Sequence, residues 1–272
     1  MSNGRLTDAV TATDSNSRLW KTRIATARMA YEQGELHEAA NQLTRAMELA
    51  KHMKERTYAV NTTTIGLGAV RIAMGQLKDA ERLLKEAISA LEASSDKDLS
   101  KLYAIALRFY ADLLSERGDE ESAERQLQNS ATILEGLGAD GCVQLAYTLC
   151  DLGSLYMRQS GLAAAEQYIL SAMDLLLATL GPEDPEFARA DVIYHLCHST
   201  NDQEMLDLAE AGMTKLQFLL GSRHPHMMRA ARRYAKVLKD RGDSTRLEEA
   251  KRRFAGYEKT VKTKELEITQ IS

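Results

Sequence analysis

From residue 18 to residue 260, apolar side chains recur at spacings of three and four, and rarely alternate with polar ones as a strand requires. The run Leu77, Ala80, Leu84, Ala87, Ile88, Leu91 is one such stripe, wide enough for the buried face of a helix. The polar side of the same helix pairs Glu81 with Lys85 one turn on. Glu121 with Arg125 and Glu248 with Arg252 repeat the device. The periodicity predicts six helix pairs: 18–33 with 36–54, 58–74 with 77–93, 99–117 with 120–136, 142–159 with 162–180, 185–199 with 203–220, and 225–241 with 245–260. Proline breaks helix interiors, and the three prolines, Pro182, Pro185 and Pro225, all fall between predicted helices or in a first turn.

The pairs repeat. The break inside each pair falls at Gly34, Gly75, Gly118, Ser160, Asn201 and Gly242, at intervals of 41, 43, 42, 41 and 41 residues. Five residues after the break come Ala39, Ala80, Ala123, Ala165, Leu206 and Leu247. Twelve after it come Ala46, Ala87, Ser130, Ala172, Met213 and Phe254. Seven before it come Ala27, Gly68, Ala111, Gly153, Tyr194 and Ala235. Two antiparallel helices approach closely only where side chains are small, so these offsets mark the crossings. Larger residues beside them, Leu67, Tyr110, Leu152, Ile193 and Tyr234, fill the remaining space. The fifth pair fits least well, and its helices are expected to splay or to slip by one residue.

Two linkers share a design, Leu180-Gly181-Pro182-Glu183-Asp184-Pro185 and Leu220-Gly221-Ser222-Arg223-His224-Pro225. The glycines suit a left-handed helix end, Asp184 suits an N-cap, and His224 is the poorer cap of the two. Another cap is expected at Asp98, before Leu99. The reading is an all-α, right-handed α-solenoid with repeats at 18–56, 57–97, 98–140, 141–183, 184–223 and 224–260. A disordered leader (1–17) precedes it, and a tail or helix extension (261–272) follows.

Units of about 42 residues with Leu152-Gly153-Ser154-Leu155-Tyr156, Ala165-Glu166 and the Leu180-to-Pro185 linker resemble the tetratricopeptide repeats of kinesin light chains. The resemblance covers roughly residues 20–257. It implies that first helices line an inner groove that binds a peptide or a partner domain. The paired asparagines common in the first helices of that family are replaced here. Ile24-Ala25, Ile65-Gly66, Arg108-Phe109, Cys150-Asp151, Val192-Ile193 and Arg232-Arg233 stand in their place. On the implied geometry, the groove positions are Arg28 and Tyr31, then Arg108, Asp112, Tyr147 and Arg158, then Arg189, Arg229, Arg232 and Lys236. Lys21, Ile24, Ser154 and Lys239 lie beside them. Arginine dominates the C-terminal half, which is therefore expected to receive an acidic segment.

Composition narrows the alternatives. A net charge of −4 argues against a sequence-independent nucleic-acid binder. No run of eighteen apolar residues exists to cross a membrane, and the polar start is no secretory signal. Cys142, Cys150 and Cys197 show no CxxC spacing and read as buried thiols of a cytoplasmic protein. His195 and His198 share a helix face, but Cys197 points elsewhere, so no metal site is expected. His224 and His226 lie in the next linker. No cofactor motif occurs: Gly66-Leu67-Gly68 lacks a preceding strand and a third glycine. The chain reads as a non-enzymatic scaffold or adaptor for a protein or peptide, with self-association through the last helix as a further expectation. The alternatives are a regulatory sensor of a short peptide and, behind it, an enzyme or metal protein on a helical scaffold.

Overall fold

The computed structural model describes residues 3–159, 161–199 and 202–254, with side chains from residue 15 onward. Among these residues there are twelve α-helices and no strand. They are α1 (Asn3–Glu32), α2 (Leu36–Ala50), α3 (Arg56–Ala73), α4 (Leu77–Leu91), α5 (Lys97–Glu116), α6 (Glu120–Gly136), α7 (Cys142–Arg158), α8 (Leu162–Thr179), α9 (Pro185–His198), α10 (Gln203–Leu220), α11 (Pro225–Asp240) and α12 (Ser244–Arg253). A 3-10 turn, Gly138–Asp140, leads into α7. The chain is all-α, built of helix pairs of the solenoid kind. It divides into two compact units, one of residues 1–31 and 35–148 and the other of residues 32–34 and 149–272. The breaks read at Ser160 and Asn201, and the tail 261–272, lie outside the described residues.

The small-residue offsets coincide with the helix crossings. Ala39, Ala80, Ala123 and Ala165 are each 0% exposed, and so are Ala46, Ala87, Ser130 and Ala172. Where the residue is glycine the fit is tighter still. A Cβ on Gly68 would lie 2.8 Å from Leu84 Cγ, and one on Gly153 would lie 2.5 Å from Ile169 Cγ1. Leu67, Leu152, Ile193 and Tyr234 are buried beside these contacts. Ser130 shows how a polar residue is tolerated at a crossing: its hydroxyl donates to the Ala104 carbonyl at 2.9 Å.

The fifth pair does not splay. Leu206, Ala209, Met213 and Leu216 of α10 are fully buried. The close approach falls on Gly212, where a Cβ would lie 2.9 Å from Val192 Cγ2. That is one residue before Met213, so the register slips by one.

Local chemistry sets most helix ends. Gly181 and Gly221 take φ of 87° and 77° at the two matching linkers, a conformation costly to any residue with a Cβ. Asp184 accepts from the Glu186 amide and caps α9, with Pro185 in the first turn. The cap of α5 is Asp96, accepting from Asp98 and Leu99, two residues before the expected Asp98. Asp96 wins because its extended backbone turns its carboxylate onto two free amides at once. Glu81 pairs with Lys85 at 2.8 Å as its spacing predicts, and also with Arg117, the residue that ends α5, at 2.7 Å. Glu248 pairs with Lys251 at 2.7 Å. At the N-terminus α1 begins at Asn3, well inside the stretch read as an unstructured leader. That stretch has no proline, so nothing local stops a helix from running back through it.

Candidate functional site

Three consecutive first helices of the C-terminal unit contribute charged groups to one cluster: the last turns of α7, then α9, then α11. Its anchor is Arg189, only 6% exposed. Its Nε donates to Glu186 Oε2 at 2.7 Å, one turn earlier, and its Nη1 donates to Asp151 Oδ1 at 3.2 Å. Burial opposes the charge on Arg189, but the two carboxylates outweigh it and hold the guanidinium's pKa above its ordinary value.

Glu186 also accepts from His226 Nδ1 at 2.6 Å, which assigns the proton of that ring to Nδ1. Burial would raise the Glu186 pKa. Arg189 and His226 more than offset this and hold it well below the carboxylate range. His224, buried at 5% exposure, caps α11 by accepting the His226 amide on Nδ1 at 3.1 Å. The expected weak cap is thus a real one, because an unprotonated imidazole nitrogen is a good acceptor. Burial and the neighbouring His226 push the His224 pKa down to about 3, which keeps that nitrogen free to accept.

An acid sensitivity follows. His224 and His226 both have folded pKa values below the ordinary 6.5. The unfolded chain therefore binds more protons below that pH, and stability present above pH 6.5 is lost as pH falls toward 3. Glu186, also lowered, adds its loss below its ordinary 4.5, in the same direction. The melting temperature should fall between pH 6.5 and 4, and His224→Asn, a cap that does not titrate, should flatten the slope. A melting temperature constant over that range would contradict the assignment.

Arg233 of α11 stands against this cluster. Its Nη1 donates to Ser154 Oγ on α7 at 2.8 Å, and Ser154 is buried. Burial, and then Arg189, Arg158 and Arg229, depress its pKa to about 9. Of the charges acting most strongly on Arg233, three are arginines and only one, Asp151, is acidic.

Arg158, Arg189 and Arg229 all act on the charge of Arg233, and Arg189 is buried in ion pairs rather than facing solvent. Arg232 and Lys236, one turn apart on α11, are exposed, as is Lys239. In the N-terminal unit Arg108 lies over the Phe109 ring, 4.6 Å from its centroid, and near the Tyr147 ring at 5.8 Å. Asp112 and Tyr31 are partly buried, and Arg28 and Lys21 are exposed on α1. Ile24 packs on the hydrophobic core. Sequence reasoning took Arg232, and not its neighbour Arg233, as the groove position.

Among the other histidines, His195 Nδ1 contacts the Asp191 carbonyl at 2.8 Å, and His198 faces Glu166 at 3.4 Å. Among the described residues no group of three or more histidine, cysteine or acidic side chains is placed to hold a metal ion. Cys150 and Cys197 are buried, and Cys142 is partly exposed. No described helix is long and apolar enough to cross a membrane.

Residues 145–186, which span most of α7, all of α8 and the cap of α9, match the tetratricopeptide repeat family profile. The chain carries a tetratricopeptide repeat. No curated protein sequence is a significant match. Solved tetratricopeptide-like structures share the fold. BtubC (BKLC) from P. vanneervenii aligns at 17% identity over 89% of this chain and 92% of its own, with a TM-score of 0.52. The kinesin light chain nearly identical TPR-like repeats of Podosopora anserina align at 18% identity over 74% of this chain and 98% of theirs, TM-score 0.52. The apo form of RapI aligns at 13% identity over 90% of this chain and 85% of its own, TM-score 0.70. The tetratricopeptide fold extends, on these likenesses, well beyond the one matched repeat.

Proposed function

We propose that this protein is a cytoplasmic, non-enzymatic scaffold whose first helices in the C-terminal unit dock an acidic peptide or an acidic segment of a partner protein. Tetratricopeptide-type repeats generally mediate protein–protein interaction. The observation that carries the specific reading is the basic character of α11. Arg229, Arg232, Arg233, Lys236 and Lys239 recur along it, Arg232 and Lys236 as exposed neighbours, in a chain whose total charge is −4. Local concentration of one sign against the net charge is what electrostatic partner selection requires. The surface is formed before binding, so little ordering cost falls on the protein.

Reversing Arg232 and Lys236 to glutamate together is the test, since both are exposed and neither supports the core. The doubly reversed protein should fold as the parent and lose its partners in affinity capture from native extract. The loss should be about tenfold or more, as expected when like charges face each other. Retention of the same partners at the same yield would remove this reading.

A further inference from the structure

We infer that the exposed apolar patch around Phe218 is a docking site for a segment of this same chain, the one that follows α12. Phe218 on α10 is 88% exposed, more than any other large apolar side chain among the described residues. One exposed apolar residue is ordinary, but this one has company. Leu177, near the end of α8, and Leu180, just past it, are 51% and 42% exposed. Apolar groups gathered on one surface mark a place that something covers. The matching outward position of the earlier pairs is charged. Five residues past Ala46, Ala87 and Ser130 come Lys51, Glu92 and Glu135, each exposed, whereas five past Ala172 comes Leu177.

Contacts on either side of Phe218 fix its surroundings. Successive helical residues lie about 100° apart, so Lys215 and Gln217 leave α10 on nearly opposite sides. Leu216 points inward between them and is fully buried, and Phe218 points outward in the other arc. Lys215 Nζ donates to the Pro182 carbonyl at 3.1 Å and lies 3.4 Å from Glu183, in the linker that follows Leu180. Gln217 Nε2 donates to the Arg253 carbonyl at 3.3 Å, and Arg253 Nη2 donates to Thr214 Oγ1 at 2.9 Å. Phe218 therefore stands between the exit of α8 and the end of α12.

The place where the chain leaves α12 selects the occupant. Phe254 directly follows the Arg253 carbonyl that Gln217 holds, and residues 255–272 continue from there, outside the described residues. From Arg253 to Pro182 is a helix diameter plus the reach of two side chains, roughly 20 Å. About six extended residues span that distance. Tyr257 comes midway along such a path, at Phe218, and Val261 comes at its end, at Leu180 and Leu177. Lys259 and Lys262 flank Val261, and the exposed acids Asp174 and Glu183 lie beside the two leucines to receive them. A second copy of the patch would instead set these acids against each other across a two-fold axis.

The test is hydrogen exchange of the full chain, read by mass spectrometry at low and at high protein concentration. Amides of residues 257–262 should exchange about tenfold or more slowly than those of an unstructured chain, the factor that covering one phenyl ring supports. Phe218→Glu should abolish the protection, and Tyr257→Ser should abolish it from the other side. Met29→Glu, which removes a different exposed apolar side chain, should leave it unchanged. Phe218 contributes almost nothing to the core, so Phe218→Glu should melt within a few degrees of the parent. Protection at both concentrations, lost in both variants, supports the docked segment. Protection that survives either substitution would overturn it. Protection seen only at high concentration gives the patch to a second copy, and exchange at the unprotected rate leaves it to another protein; either overturns it too. The patch uses α8, α10 and α12, so its fate is separate from that of the basic face of α11.

Discussion

Arg189→Met should destabilise the C-terminal unit by about 3–5 kcal/mol, the cost of removing one partner from a buried ion pair. Methionine fills much of the space, so the loss is electrostatic rather than a cavity effect. The substitution removes the cation that acts most strongly on Glu186 and takes a partner from Asp151. Both carboxylates would then have to stay charged in a poorer environment or take up protons. Urea denaturation measures the loss, and a companion variant separates the causes. Adding Glu186→Gln to Arg189→Met should recover part of the stability, because the buried carboxylate that loses its strongest cation is then no longer charged, while Asp151, the acid that acts on Arg233, is kept. A loss below about 1 kcal/mol would mean that the pair behaves as an exposed one.

The second large effect is predicted at a helix crossing. Gly153 lies inside α7, where replacing glycine ordinarily gains up to about 1 kcal/mol of helix propensity. Here the added atoms meet Ile169 Cγ1 at 2.5 Å and the Ala165 carbonyl oxygen at 3.1 Å. Ile169 is fully buried, so it can yield only against its packed neighbours. Gly153→Val should therefore cost about 2–3 kcal/mol, the range for overpacking a filled core. Gly136, the last residue of α6, has nothing within 4 Å of its would-be Cβ. Gly136→Ala should leave stability unchanged or raise it by up to about 1 kcal/mol. Thermal melts of the two variants decide whether glycine is required by contact or merely tolerated. Equal effects at both positions would contradict the nesting argument.

These two sites show what the sequence reveals and where it stops. Gly153, Ala165 and Ala172 were legible because small side chains at fixed offsets have one simple use, and all three lie at the crossing of α7 with α8 or close beside it. Helix ends were legible where a glycine or a capping residue marks them, as at Gly181 and Asp184. In the fifth pair the poor fit to the offsets signalled a splay or a slip by one, and the close approach at Gly212 is the slip; the offsets alone could not choose between the two.

The arginine cluster was half legible. Arg158, Arg189 and Arg229 could be assigned to first helices, but not to a buried or exposed state. Arg189 is decided by Glu186, one turn away and readable as a pair, and by Asp151, 38 residues upstream. That separation is close to one repeat, so a search for opposite charges about one period apart would have found it. Arg232 and Arg233 differ by about 100° around the helix. Which of them turns inward depends on the rotation of α11 against α7 and α9, and that is set by packing of the whole unit. Arg233 was therefore missed as an inward residue. His224 was undervalued because its capping power comes from burial, which keeps the ring neutral, and burial is not written in the linker itself.

Selection from a random peptide library tests the docking face most directly. Peptides retained by the wild-type protein, but not by the protein carrying Arg232→Glu and Lys236→Glu, should be enriched in aspartate and glutamate several-fold over the starting library. Retained peptides with no acidic enrichment, or with the same sequences for both proteins, would show that the basic face of α11 is not where this protein meets its partner.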